Sequence, residues 1–147
     1  ALLCSAVGLF LGLAAVMRWR LKVGEEMDLR PSLHWGEPVV VTEPRPEDGP
    51  VMVMLEYRID PENSLEFIKA MEEFARVRRR DGAIRWGVYR DVAHPGRYVE
   101  HFMVNSWAEH LRQHSRITMT DRSAEDRVRA FHIGDRPPRV SHFLRAG

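Results

Sequence analysis

The stretch that most restricts this chain is "VMVMLEYRID", residues 51–60. Val51, Val53, Leu55, Tyr57 and Ile59 fall on one side of it, and Met52, Met54, Glu56 and Arg58 on the other. A period of two requires a strand with one buried face. The second face is too rich in methionine to be a plain solvent face. The period then changes. Asp60-Pro61 supplies an N-cap and a first-turn proline. Ser64, Phe67, Ile68, Met71, Phe74 and Ala75 recur at helical spacing. "RVRRRDG" closes this helix, with Gly82 as its stop. Its arginines are expected to be solvated and to compensate the helix dipole.

"AIRWGVYRDV" and "RYVEHFMVNS" read as two more strands joined by the turn "AHPG". Ser106 and Glu109 form a capping-box pattern that starts a second helix. A polar break at "TMTDRS" separates it from a further helical piece, "AEDRVRAFH", with Ala124, Val128 and Phe131 on one side. "RPPRVSHFLRA" supplies a last strand after a proline turn. The order β-α-β-β-α-β is an α+β, ferredoxin-like arrangement over residues 51–147. Helices cover one face of such a sheet. The apolar second face predicts a homodimer closed through the open sheet face, a dimeric α/β barrel.

Residues 1–17, "ALLCSAVGLFLGLAAVM", carry no charge and run into Arg18, Trp19, Arg20 and Lys22. At about 1.5 Å per residue such a run nearly spans a bilayer core of roughly 30 Å. Residues 1–22 are therefore expected to be the end of a transmembrane helix with a basic flank, residues 1–20 touching the membrane. The flank favours a cytoplasmic location for the residues beyond it. The chain is read as a piece of a longer membrane protein; a signal peptide, against which the basic residues after the run and the lack of a basic stretch before it both speak, and a buried amphipathic helix are the other readings. Residues 23–50 form a proline-rich connector in which "VVVT", residues 39–42, is a candidate edge strand. A formal net charge of +1 gives no electrostatic reason to expect nucleic acid. The single cysteine, Cys4, excludes an internal disulfide and any multi-cysteine metal site.

Candidate site residues fall in two places. On the second helix, Trp107, His110, Leu111 and His114 share one face, with Glu109, Arg112, Gln113 and Arg116 opposite. The histidines serve as packing residues or as contacts to a small molecule or haem. No metal site is expected, because two histidines need a third ligand, and "EHLRQH" lacks the zinc-protease order. The second place is the open sheet face: Met52, Met54, Glu56 and Arg58, with Trp86 or Tyr89, and His101 or Phe102. Methionine and aromatic side chains around a few polar groups suit a pocket for a small hydrophobic or aromatic ligand. They suit a dimer interface equally. The proposed pocket set is Met54, Glu56, Arg58, Trp86, His101, Trp107, His110 and His114. No nucleophile elbow or phosphate loop is present.

"EPVVVTEPRPEDGPV", "EYRIDP", "RRRDGA" and "SWAEHLRQH" together resemble the C-terminal tail of major facilitator permeases of the transmembrane secretion effector group, related to the enterobactin exporter. The resemblance covers essentially the whole chain. It implies a bacterial inner-membrane exporter of small molecules whose soluble tail faces the cytoplasm and serves dimerisation, cargo sensing or regulation. The soluble part is also similar to antibiotic-biosynthesis monooxygenases of the dimeric α/β-barrel type, some cofactor-free and some haem-degrading. There Trp107 matches a recurring tryptophan, and His114 is the nearest match to the helix histidine that binds haem. Asn105 stands where that family more often has glutamate, and the first strand lacks the asparagine of the haem-degrading branch. The resemblance therefore implies a fold without a full catalytic set and no resident cofactor, with haem as the alternative.

Overall fold

A computed structural model describes residues 27–35 and 38–146. The expected membrane segment at 1–22 lies outside the described residues. Among the described residues no helix is long and apolar enough to cross a membrane.

The elements are β1 (Val51–Arg58), a 3-10 turn (Pro61–Asn63), α1 (Ser64–Arg80), β2 (Arg85–Arg90), β3 (Arg97–Val104), α2 (Trp107–Arg116), α3 (Met119–Arg129) and β4 (Arg139–Leu144). The sheet order is β2-β3-β1-β4, and every neighbouring pair is antiparallel. This is the α+β ferredoxin-like arrangement. Val53 pairs with Phe102 on one side and His142 on the other, so those three side chains share the helix-covered face. Val51, Val53, Leu55, Tyr57, Phe102 and Val104 are buried there against Phe67, Met71 and Phe74 of α1 and Val128 of α3.

Local chemistry explains the boundaries. Asp60 accepts from the Glu62 amide and caps the 3-10 turn, so α1 proper starts three residues later, at Ser64. Gly82, at φ +107°, terminates α1 in a conformation that side chains resist. Three sequence expectations change. "TMTDRS" is no break: Thr118 and Asp121 form a full capping box, and α3 starts at Met119. At α2 only the Ser106 half of the box forms, because the Glu109 carboxylate turns outward to Arg112 and Arg116. No strand forms over residues 39–42, where Val39 and Val41 are fully exposed.

The connector nevertheless packs on the domain. Asp48 and Pro46 accept from the amides of Trp107 and Ala108 at the start of α2. Farther upstream, Pro31 pairs with Thr118 in an isolated antiparallel bridge. Backbone bonds Ser32 to Ile117 (2.8 Å) and Met119 to Arg30 (2.9 Å) flank that bridge.

Candidate functional site

A cavity of about 480 Å³ opens between the helix-covered sheet face and the helices. Val53, Leu55 and Phe102 form its floor, His110 and His114 of α2 one side, and His142 and Val140 of β4 another. Arg78 of α1, Glu125 and Arg129 of α3, and the connector residues His34 and Trp35 complete the wall.

Three imidazoles cluster here. The ring centroid of His110 lies 5.0 Å from that of His114 and 4.7 Å from that of His142. Trp107 backs the cluster, 5.3 Å from His110. His110 is buried, and neither ring nitrogen has a hydrogen-bond partner. Burial, reinforced by His142 and His114 and offset only in part by the nearby Gln113 side chain, pushes its pKa down to about 3. Burial also lowers His114 and His142. At neutral pH His110 is therefore an uncharged ring with one donor and one acceptor unused. Among the described residues, no group of three or more histidine, cysteine or acidic side chains is arranged to hold a metal ion.

The charged groups of the wall are paired. Arg78 donates to Glu100 at 2.8 and 3.2 Å. Its guanidinium also lies over the rings of Phe102 (4.4 Å), Phe74 (4.5 Å) and Trp35 (5.1 Å). Burial acts to discharge Arg78, but the adjoining Glu100 carboxylate outweighs it and its pKa rises. Glu125 accepts from Trp35 Nε1 (2.7 Å), His34 Nε2 (3.0 Å) and Arg129 Nε (2.8 Å). Burial raises the Glu125 pKa, yet Arg78, Arg129 and these N–H donors prevail and leave it below its ordinary value. A carboxylate only accepts, so His34 Nε2 is the donor to Glu125, and the Ser32 hydroxyl stands 2.5 Å from Nδ1.

The sequence-derived pocket set is divided between two faces. His110 and His114 line the cavity, with Trp107 behind them. Trp86 is on the same sheet face, beyond the cavity, and donates to Glu100 at 3.0 Å. Met54, Glu56, Arg58 and His101 lie on the opposite face by strand alternation. There Glu56 accepts from Arg97 at 2.8 Å. The α2 face is also rotated from its expected setting. Gln113 is buried and donates to the Asp81 carbonyl at 3.1 Å, whereas Leu111 is 41% exposed.

Sequence reasoning missed Arg78, Glu125, His142, His34 and Trp35. Arg78 continues the Met71–Phe74 stripe at i+7 and i+4, a signal masked by the surrounding arginines. His142 has inward parity with Val140. His34 and Trp35 carry no local signal, since only tertiary contact brings them to the cavity.

Against known proteins, the family profile described as transmembrane secretion effector matches residues 1–147. The chain belongs to the transmembrane secretion effector family. Among solved structures, this member resembles a Caulobacter crescentus CB15 protein described as a candidate antibiotic biosynthesis monooxygenase. That match has a TM-score of 0.58 and 17% identity and covers 69% of this chain and 94% of the other. A Bordetella bronchiseptica protein of the same description has a TM-score of 0.57 and 16% identity, covering 67% and 98%. A conserved protein from Methanosarcina mazei Go1 has a TM-score of 0.53 and 17% identity, covering 63% and 89%. At these identities the likeness concerns the fold. A search of curated proteins found no match to the chain.

Proposed function

We propose that this chain is the C-terminal part of a bacterial inner-membrane exporter of the major facilitator type. Its ferredoxin-like domain faces the cytoplasm, binds a small hydrophobic or aromatic ligand and regulates efflux without chemistry of its own. Family membership over the whole chain supports the exporter context. The basic residues Arg18, Arg20 and Lys22 after the apolar run support the orientation. One observation carries the ligand reading: the cavity between sheet and helices is walled by aromatic rings, imidazoles and charged groups already paired with one another, and neither ring nitrogen of buried His110 meets a hydrogen-bond partner. Buried polar atoms in native proteins nearly always have partners, and a ligand would supply them.

The aromatic probe 8-anilinonaphthalene-1-sulfonate tests this reading on the full chain in detergent. Its fluorescence should rise saturably with wild type and be lost in His114→Trp, which fills the cavity from its wall. Equal enhancement by both proteins would refute cavity binding. Removing residues 51–147 from the complete transporter should change the efflux rate of cells; unchanged efflux would refute the regulatory role.

The domain also pairs with a second copy through the open sheet face. Tyr89 and Phe143 stand 61% and 46% exposed on that face beside Met54 and Met103, which supports burial against a partner. Light scattering should give a dimer mass, and a monomer at micromolar concentration would refute pairing.

A second reading, an oxygenase of an aromatic or haem-like substrate, is favoured by the cluster of His110, His114 and His142 on the cavity wall, whose ring nitrogens can hydrogen-bond such a substrate. It requires oxygen uptake with aromatic quinols, or a haemin Soret shift lost in His114→Ala. Neither signal would leave the non-catalytic reading standing.

A further inference from the structure

The cavity wall is not made by the domain alone. His34 and Trp35 belong to the connector, the stretch of chain between residues 1–22 and the first strand. Trp35 meets His114 edge-on at 5.2 Å, lies beneath the Arg78 guanidinium and donates to Glu125. His34 donates to the same carboxylate. The segment is otherwise held by the short backbone pairing around Pro31 and Thr118 and by the Thr120 amide and hydroxyl, which donate to the Asp28 carbonyl at 3.1 and 3.3 Å.

Little apolar surface secures it. Leu29 and Leu33 are 65% and 74% exposed. Leu33, directly before His34 and Trp35, has φ +46°, a left-handed conformation that side chains disfavour. Beyond its backbone bonds, this strained, half-exposed strap thus meets the cavity wall through one buried carboxylate and one ring. Backbone strain of this kind persists only where surrounding contacts hold it.

We infer that residues Asp28–Trp35 form a lid over the cavity, docked by Glu125, and that a ligand in the cavity holds the lid closed. This rests on the ligand reading above. A ligand that touches Trp35 and His34 as well as His110 and His114 has more contacts when the strap is docked. It therefore binds that state more tightly and shifts the chain toward it. The lid is continuous in sequence with the apolar run, so cavity occupancy determines how firmly the domain is tied to the segment that precedes it. By reciprocity, a movement of that segment that pulls the strap away weakens ligand binding.

The test uses the full chain in detergent with 8-anilinonaphthalene-1-sulfonate as probe. Amide hydrogen exchange at Ser32, Met119 and Thr120, whose bonds break when the strap leaves, should slow about fivefold or more at saturation. A second measurement locks the strap. Pro31 and Thr118 oppose each other between two flanking hydrogen bonds. In such a non-hydrogen-bonded pair the Cα atoms lie about 4.5 Å apart, within disulfide reach. In a Cys4→Ser background, oxidised Pro31→Cys/Thr118→Cys protein should take up the probe about tenfold more slowly than its reduced form, as for other binding that waits on a conformational change. Probe binding with unchanged exchange, or with equal uptake by oxidised and reduced protein, overturns the lid and leaves the cavity reading intact. Absence of probe binding to wild type overturns both.

Discussion

Arg78 and Glu100 form an ion pair at 2.8 Å with both side chains withdrawn from solvent, one on α1 and one on β3. Tyr57 and Trp86 also donate to Glu100. The pair therefore ties α1, β1, β2 and β3 together immediately behind the cavity. Removing one member strands the other charge, which typically costs about 3–5 kcal/mol, whereas replacing both costs much less. Arg78→Ala should destabilise by about that amount, and Arg78→Met/Glu100→Gln should recover most of it. Urea unfolding of the three proteins measures both. Equal destabilisation by the single and double variants would show that the charges are not coupled.

The histidine cluster predicts acid sensitivity. The folded His110 pKa is about 3, below its ordinary value of 6.5, so the unfolded chain binds the proton first. Stability is full above about pH 6.5 and declines as pH falls from there toward 3, by up to about 1.4 kcal/mol per pH unit for one such group. His114 and His142, lowered by burial, act in the same direction. Burial raises Asp81, which acts in the opposite direction closer to its own ordinary value of 3.8. The melting temperature should fall between pH 7.5 and 5.5, and His110→Phe should flatten that slope. A slope unchanged in the variant would remove His110 as its source.

Thr118 and Asp121 bracket the start of α3, and Asp121 also accepts from Arg80 of α1 at 2.7 Å. Thr118→Ala should cost about 1 kcal/mol, the usual value of an N-cap. Asp121→Ala should cost more, since it removes an inter-helix ion pair as well. Thermal unfolding of both variants gives the order; Thr118→Ala as the more damaging change would contradict it.

Gly96 closes the β2–β3 turn at φ +82°, and an added Cβ would lie 2.4 Å from the Ile59 carbonyl oxygen. Gly96→Ala therefore combines an unfavourable backbone region with a backbone clash. It should destabilise by about 1–3 kcal/mol. A chemical-denaturation midpoint equal to wild type would refute the clash.

The fold was legible because its signals are local. The alternation in residues 51–59, the stripe from Phe67 to Ala75 and the turn between β2 and β3 each depend on a few neighbouring residues. Near Arg78 and at the start of α3 the same reasoning failed. Arginine-rich and polar stretches look solvated, and burial of Arg78, Asp121 and Glu125 depends on partners from other elements.

By itself the sequence determined the β-α-β-β-α-β order, the family, and the facing of His110 and His114 toward the core side of their helix. Only the tertiary structure decided that the site lies under the helices, apart from Met54, Glu56, Arg58 and His101 on the open face. It also decided that His142, Arg78, Glu125 and Trp35 complete that site. Helix and strand periods place a side chain on a face, but the contents of the space between faces depend on register and on a connector docking from far along the chain. Trp35 reaches Glu125 across 90 residues, a distance over which no local pattern carries information.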